Sequence, residues 1–237
     1  MKKSLILNGI DLTPQQVFDV AVAKADEYTV SIAPESLVKM KASREFVFQI
    51  VEKGDPVYGI NTGFGALSNK HIEKKDLEQL QLNLIRSHCT GVGSPFSREV
   101  TRAIMILRAN CLTSGYSGVN IEAVQLIIDF INNDIIPVVP EKGSVGASGD
   151  LAPLSHIALA LIGEGDVVYQ GKTVRSDFAI HQIGKKPIRL GPKDGLALIN
   201  GTAVMGALGC LGIVYATNLM KLADVSAAMT LDGVKGT

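Results

Sequence analysis

Hydrophobic residues recur at helical spacing through most of the chain. Thr13-Pro14-Gln15-Gln16 combines an N-cap threonine, a proline at the first helical position and a glutamine three residues after the cap, which predicts a helix from Pro14 to about Ala25. Pro34 opens a second helix with apolar residues at helical intervals, and further helices are predicted over residues 75–87, 97–113 and 121–132. These elements predict a mainly α fold.

Two segments break this helical pattern. Residues 58–65 contain three glycines in eight positions, which favours a loop. Residues 167–169 and 172–174 are two short β-rich runs around Gln170-Gly171, the pattern of one small β-hairpin.

The last part of the chain is almost continuously apolar. From Gly195 to about Val234 the pattern predicts one long helix with apolar or small residues on more than one face, which is typical of a helix in the middle of a bundle. We therefore expect an N-terminal helical domain over residues 1–194 and the first long helix of a central bundle over residues 195–237.

Charge and composition exclude several classes of partner. Lys plus Arg and Asp plus Glu are both 23, so nothing indicates a nucleic-acid partner. The apolar run Leu5-Ile6-Leu7 is too short for a signal peptide, and the longer apolar stretches are interrupted by Gly, Pro, Asn and His, which predicts buried helices and no membrane span.

Three widely spaced cysteines predict reduced thiols in a cytoplasmic protein. No metal-ligand spacing joins the histidines to one another or to the cysteines, so no metal site is predicted.

The tripeptide Ala147-Ser148-Gly149 can form its own electrophile. The nitrogen of Gly149 can attack the carbonyl carbon of Ala147, and loss of water closes a five-membered imidazolone. A second dehydration, at Ser148, leaves an exocyclic methylene and hence a Michael acceptor, 4-methylidene-imidazol-5-one, without any external cofactor. Taken alone, the tripeptide favours a turn before a helix, with Ser148 or Asp150 as the N-cap.

Four segments of the chain resemble segments of one family, and they occur in the same order along the sequence. They are Gly143-Ser-Val-Gly-Ala-Ser-Gly-Asp-Leu-Ala-Pro-Leu-Ser-His156, Tyr58-Gly-Ile-Asn-Thr-Gly-Phe-Gly65, Leu80-Gln-Leu-Asn-Leu-Ile-Arg-Ser-His88 and Gly195-Leu-Ala-Leu-Ile-Asn-Gly-Thr202. Together they are similar to the aromatic amino-acid ammonia-lyases and aminomutases, from about Leu12 to the C-terminus.

The resemblance implies a reaction and a set of site residues. The self-made electrophile would bond to the amine of an amino-acid substrate, and Tyr58 would remove the β-proton. A free phenol has a pKa of about 10, so the site would have to stabilise the phenolate. Asn200 would lie near both the electrophile and the substrate amine, and Gly65 would contact the substrate. Without the resemblance, Tyr58 would be a packed loop tyrosine and Asn200 an amide bonded to backbone.

His88 occupies the position that the resemblance assigns to substrate discrimination. The Ser87-His88 pair is similar to the histidine-specific members, which favours conversion of histidine to urocanate. Ala203 stands where those members carry Gln, and Gly115-Tyr-Ser-Gly118 is nearer the phenylalanine branch. Phenylalanine or tyrosine ammonia-lyase and aminomutase activities therefore remain alternatives, because one pocket position rarely settles specificity.

Members of the family are roughly twice as long as these 237 residues. We therefore expect either a truncated chain or a natural half-length relative, and a non-catalytic half-domain is a further alternative. No Gln-x-x-Tyr-x-x-Arg segment like the family's occurs here. We expect incomplete ring closure, negligible activity of the isolated chain and a homo-oligomer built around the long helix, which is a tetramer in the full-length family.

Overall fold

The computed structural model describes residues 2–68, 70–146 and 149–236. Helices dominate it, so the prediction of a mainly α fold is confirmed. The α-helices are α1 (Pro14–Val22), α2 (Pro34–Lys53), α3 (Leu77–His88), α4 (Arg98–Thr113), α5 (Ile121–Asn132), α6 (Leu151–Leu161), α7 (Ser176–Gln182), α8 (Asp194–Ile199) and α9 (Ala203–Gly233).

Local capping explains where several of these helices begin. At α1, the backbone N–H of Gln16 donates to the hydroxyl of Thr13 at 3.3 Å, and the Gln16 side chain accepts from the Thr13 N–H at 2.9 Å. Ser97 caps α4 and Asn120 caps α5 through their side-chain oxygens. The predicted starts of these three helices are confirmed, because each signal lies within a few residues of the helix it begins.

The structure contains more strands than the single predicted hairpin. They are β1 (Lys3–Leu7), β2 (Tyr28–Ile32), β3 (Val92–Pro95), β4 (Ile136–Pro137), β5 (Pro140–Lys142), β6 (Asp166–Tyr169) and β7 (Lys172–Arg175). The hairpin β6–β7 is confirmed, but β4 pairs with it and makes a three-stranded antiparallel sheet. The pair β1–β2 is parallel and β3–β5 is antiparallel. These short strands depend on partners distant in the chain, which local alternation does not reveal.

Helix α4 lies at the centre of the hydrophobic core, where it packs against α1, α5 and α9. Met105, Ile127 and Phe130 are fully buried there. Two arginines of α4 are also buried, and each donates to backbone carbonyls of other segments: Arg102 to Val20 and Ile131, and Arg108 to the end of α8. Buried charge of this kind is tolerated because its donors are satisfied.

The prediction of one continuous helix from Gly195 is wrong. The chain leaves helical geometry after Ile199, and Asn200 has φ −94° and ψ 102°, an extended conformation. The helix resumes at Ala203 as α9. The physical reason for the break is that carbonyls at the end of α8 are bonded by the Arg108 side chain, a partner 92 residues earlier than Asn200.

Helix α9 is only partly covered by the rest of the chain. Its first half packs on α1 and α4, and the rings of Phe18 and Tyr215 meet edge to face at 5.2 Å. Leu211 is 6% exposed, whereas Leu208 is 47% and Leu222 is 64% exposed. By length and composition alone, Asp194–Gly233 could cross a membrane, a test that core helices of soluble proteins also pass.

Candidate active site

The predicted electrophile lies in the loop between β5 and α6. Ala147 and Ser148 are outside the described residues, whereas Gly149 is described and buried. On the N-terminal side of the tripeptide, the Ser144 hydroxyl donates to Asp150 Oδ1 at 2.7 Å and accepts from the Gly146 N–H at 3.3 Å. Both sides of the tripeptide are therefore tied to the same carboxylate.

Asp150 is buried at the start of α6, but it does not cap that helix. Its Oδ2 instead accepts from the backbone N–H groups of Val204 at 2.9 Å and Met205 at 3.1 Å, in the first turn of α9. Its own N–H donates to the Gly201 carbonyl at 2.7 Å. Asp150 therefore occupies the N-cap position of α6, but its carboxylate makes no capping bond there and instead caps α9, which fixes the tripeptide to the break between α8 and α9.

Gly149 and Asn200 lie in direct contact. A Cβ atom built on Gly149 would stand 2.5 Å from Asn200 Oδ1 and 3.2 Å from the Gly201 nitrogen. Any side chain at position 149 would therefore displace the Asn200 amide. The structure places Asn200 beside the tripeptide, as expected, and glycine is required there by space as well as by the ring-closing chemistry.

Tyr58 lies in the predicted glycine-containing loop and is 56% exposed. Its ring stands edge to face with Phe64, the centroids 6.2 Å apart. Gly59 has φ +77°, and a Cβ there would lie 2.5 Å from Leu196 Cδ2, so the loop packs closely on α8. Through this contact, the tyrosine loop adjoins the helix that directly precedes Asn200.

Asn61 holds the base of the tyrosine loop. It is buried, its Oδ1 accepts from the Val57 N–H at 2.7 Å, and its Nδ2 donates to the Asp55 carbonyl at 2.9 Å. An asparagine that bonds nearby backbone is a common loop device. This role was not predicted, although an asparagine among loop glycines is a signal that could have indicated it.

His88 is half-buried at the end of α3. Its Nδ1 lies 2.8 Å from the Leu84 carbonyl oxygen and 3.1 Å from the Ser87 hydroxyl. Because a carbonyl only accepts, we assign the proton to Nδ1, which leaves Nε2 of the neutral ring as an acceptor. The same helix reaches α8 through Gln81, whose Oε1 accepts from the Gly195 N–H at 2.8 Å.

Gly65 begins a short 3₁₀ turn, Gly65–Leu67, and has φ +56°. A Cβ at this position would meet no atom within 4 Å. A glycine at position 65 is therefore explained by the left-handed backbone and not by close packing. A role for Gly65 in binding substrate remains a prediction.

His156 is bonded to a segment that contacts Gly143, in the loop that carries the tripeptide. Its Nε2 accepts from the Gly91 N–H at 3.2 Å, and burial lowers the pKa of its imidazole. Gly91 in turn contacts Gly143, where a Cβ would lie 3.1 Å from the Gly91 Cα. His156 therefore connects α6 to the segment that follows His88. Within the described residues, no group of three or more metal-ligating side chains occurs.

The sequence matches the family model for aromatic amino acid lyases over residues 12–237. The chain belongs to that family. It is 46% identical over 233 residues to the histidine ammonia-lyase of Myxococcus xanthus, covering 98% of this chain and 45% of that protein. The chain therefore spans less than half the length of this relative.

Solved structures of the family have the same fold. The histidine ammonia-lyase of Trypanosoma cruzi superposes with a TM-score of 0.91 at 39% identity, over 99% of this chain and 45% of that one. An ergothionase from Treponema denticola, an ergothioneine-degrading enzyme, gives 0.92 at 34% identity, over 99% and 46%. The helical fold of this chain is therefore the one found in these structures.

The described residues fit the ring that the family resemblance implies. The slot at Gly149 has no room for a Cβ, as a glycine nitrogen that attacks backwards requires. The carboxylate of Asp150 and the hydroxyl of Ser144 fix the two sides of the tripeptide. Ser144, Gly149 and Asp150 are thus compatible with the ring that the resemblance implies.

Proposed function

We propose that this chain supplies the N-terminal part of the active site of an ammonia-lyase that converts histidine to urocanate. The observation that carries this proposal is the contact between Gly149 and Asn200 in a chain of the aromatic amino acid lyase family. In it, an amide that can orient a substrate amine adjoins a tripeptide that can become an electrophile.

Ala147, Ser148 and Gly149 would form 4-methylidene-imidazol-5-one autocatalytically, with loss of two waters. The ring supplies an electrophile that makes the substrate nitrogen a better leaving group. Asn200 would hold the substrate amine near it. This role fits its location, because the side chain stands at the end of α8 against Gly149 and its residue is exposed.

Tyr58 would take the β-proton on its phenolate oxygen, and the nitrogen would leave as ammonia. Both electrons of the broken C–H bond then form the new C=C bond as the C–N bond breaks. The phenolate has to be stabilised and shielded from water to act near neutral pH. The loop glycines, of which Gly59 packs on α8, allow the loop to close over a substrate.

His88 supports histidine as the substrate. With its Nδ1 proton bonded to the Leu84 carbonyl, the free Nε2 can accept a hydrogen bond from the N–H of a substrate imidazole. A phenylalanine ring offers no such donor. The second candidate is a phenylalanine or tyrosine ammonia-lyase or aminomutase, which Ala203 and Gly115-Tyr-Ser-Gly118 favour. The product separates the two reactions, because a lyase releases an acrylate and an aminomutase releases a β-amino acid.

The exposed face of α9 supports assembly with further helices of the same protein. Leu208 and Leu222 are exposed apolar residues on a helix whose other side is packed in the core. Such a face favours association. We propose a cytoplasmic homo-oligomer, a tetramer as in the full-length family, with no nucleic-acid or membrane partner.

The decisive experiment combines this chain with the C-terminal part of a relative. The chain would be co-expressed with the C-terminal part of the Myxococcus xanthus protein that has no counterpart here, and urocanate formation from histidine would be followed by absorbance. Phenylalanine and tyrosine would be tested in parallel, with products separated by chromatography. We expect turnover of histidine by the pair and negligible turnover by the isolated chain.

Ser148→Ala is the matched control, and the intact mass reports on the ring. Ring formation lowers the mass by two waters, and an added thiol would then give a covalent adduct. We expect both changes to be incomplete in the isolated chain and absent in Ser148→Ala. A pair that loses both waters completely but releases no product from any of the three amino acids would overturn the proposal.

A further inference from the structure

Arg108 is a buried cation bonded only to backbone. It belongs to α4, is 3% exposed, and donates to three carbonyls at the end of α8. Nε donates to Leu198 at 3.0 Å, and Nη2 donates to Ala197 and, at 3.0 Å, to Asn200. In residues 2–68, 70–146 and 149–236, no carboxylate forms an ion pair with it.

The bonding matches what a helix end requires. The last carbonyls of a helix lack partners within it, and the guanidinium supplies donors in a fixed planar fork. The backbone then passes directly over the cation, because a Cβ at Gly201 would overlap Nη1 of Arg108. Burial lowers the pKa of Arg108 without removing its charge.

The other end of α8 is held by a different helix. Gln81 of α3 is buried, and its Oε1 accepts from the N–H groups of Gly195 at 2.8 Å and Leu196 at 3.4 Å. A helix of six residues is thus fixed at both ends by side chains of longer helices. Asn200, the residue that follows this helix, therefore has little freedom to move.

We propose that Arg108 is a positioning residue that holds Asn200 against Gly149, and this inference rests on the proposed function. The guanidinium acts through the backbone of residues 197–200 and touches no reacting atom. A working site tolerates displacements of about half an ångström. Loss of the three bonds would let Asn200 move by more than that, since the bond from its own N–H to the Leu196 carbonyl at 3.0 Å would then be its remaining backbone link to α8.

Arg102 is a matched control within the same helix. It is 1% exposed and donates to the carbonyls of Val20 at 3.0 Å and Ile131 at 2.8 Å, with Asp134 as an ion-pair partner at 2.9 Å. Arg102→Lys therefore disturbs a buried arginine bonded to backbone that does not reach α8. It separates a general loss of stability from a local loss of position.

The first test needs no activity. The chain would be labelled with ¹⁵N-asparagine, and the side-chain amide resonance of Asn200 assigned by its loss in Asn200→Ser. We expect Arg108→Lys to shift or split this resonance, and Arg102→Lys to leave it unchanged at a comparable drop in the urea midpoint. Gly201→Ala, which displaces the guanidinium and keeps the charge, should move it as well. An unchanged resonance in both Arg108→Lys and Gly201→Ala, or an equal change in Arg102→Lys, would overturn the proposal.

The second test uses the co-expressed pair. Arg108→Lys should lower kcat/KM by about 100-fold, the scale of an ångström's misplacement. In an Asn200→Ala background the same substitution should change kcat/KM by less than about threefold, because the group being positioned is already gone. A general structural role would lower both backgrounds equally. If the pair turns over no amino acid, the proposed function fails, and the Asn200 resonance still decides the role of Arg108.

Discussion

The carboxylate of Asp150, the residue directly after the predicted electrophile, accepts a hydrogen bond from the backbone N–H of Val204 at 2.9 Å. The same oxygen accepts from the N–H of Met205, so Asp150 satisfies two donors in the first turn of α9, although 54 positions separate it from Val204. Its other carboxylate oxygen accepts from the Ser144 hydroxyl. The start of a helix and the loop that carries the predicted electrophile thus depend on one side chain.

Asp150→Asn should destabilise the chain by about 1–3 kcal/mol, because a neutral amide would replace the buried carboxylate that accepts from the N–H groups of α9, and hydrogen bonds to a neutral acceptor are weaker. The free energy of unfolding in urea measures this. Asp177→Asn is the control, since Asp177 is exposed in the first turn of α7. An equal, small effect of both substitutions would contradict the cap.

Gly149→Ala should displace Asn200, because the new Cβ would stand 2.5 Å from its Oδ1. We expect the two-water loss to disappear in this variant. Gly209 is exposed in α9 with nothing within 4 Å of a Cβ, so Gly209→Ala should leave the mass change intact and stabilise the helix by up to about 1 kcal/mol. Unaltered ring formation in Gly149→Ala would show that the slot is not restrictive.

Stability should fall as the pH is lowered through 6.5, the ordinary pKa of histidine, because burial lowers the pKa of His156 in the folded chain. Between the two values the unfolded state binds more protons, so the free energy of unfolding decreases with decreasing pH. Urea titrations between about pH 5.5 and 8 avoid most carboxylate titration. His156→Gln, which keeps an acceptor for the Gly91 N–H, should flatten the profile, whereas His181→Gln on the surface should not.

Cys111 should be alkylated well before Cys89. Burial raises the pKa of the Cys89 thiol to about 12, so very little thiolate forms near neutral pH, whereas Cys111 is exposed. Peptide mapping after timed treatment with iodoacetamide at about pH 8 gives the order of reaction. The Cys111→Ser variant should react only slowly, and fast labelling of Cys89 in it would contradict the burial.

Leu222→Lys should reduce self-association of the chain. Leu222 is 64% exposed on α9, and a charge there would have to be desolvated in any apolar interface. Asn218→Lys adds the same charge one turn earlier at a position that is already polar and exposed. Sedimentation velocity at about 50 μM should show a smaller species for Leu222→Lys only. A stable monomer of the unmodified chain would refute the association itself.

Most of the helical fold could be predicted because its signals are local. Thr13, Ser97 and Asn120 each cap the helix that follows them. The break at Asn200 could not, since an apolar, small-residue pattern continues through it and the cause, Arg108, lies in another helix. The parallel pairing of β1 with β2 was missed for the same reason.

The candidate site divides in the same way. The family resemblance indicated that Asn200 lies near the tripeptide, and the contact with Gly149 agrees with this. The attachment of Asp150 to α9 was not predicted, because an acidic residue before a helix is ordinarily assigned to that helix. Side chains that serve a distant element leave no periodic signal in the sequence.

The bond between Asp150 and Val204 also bears on the order of folding steps during synthesis of the chain. A ribosome that adds about 5–20 residues per second completes the tripeptide roughly 3–11 s before it has added the 54 residues that separate this pair. During that interval the nascent loop has no helix start to hold it. The proposed ring closure would therefore wait until the first turn of α9 has left the exit tunnel and docked.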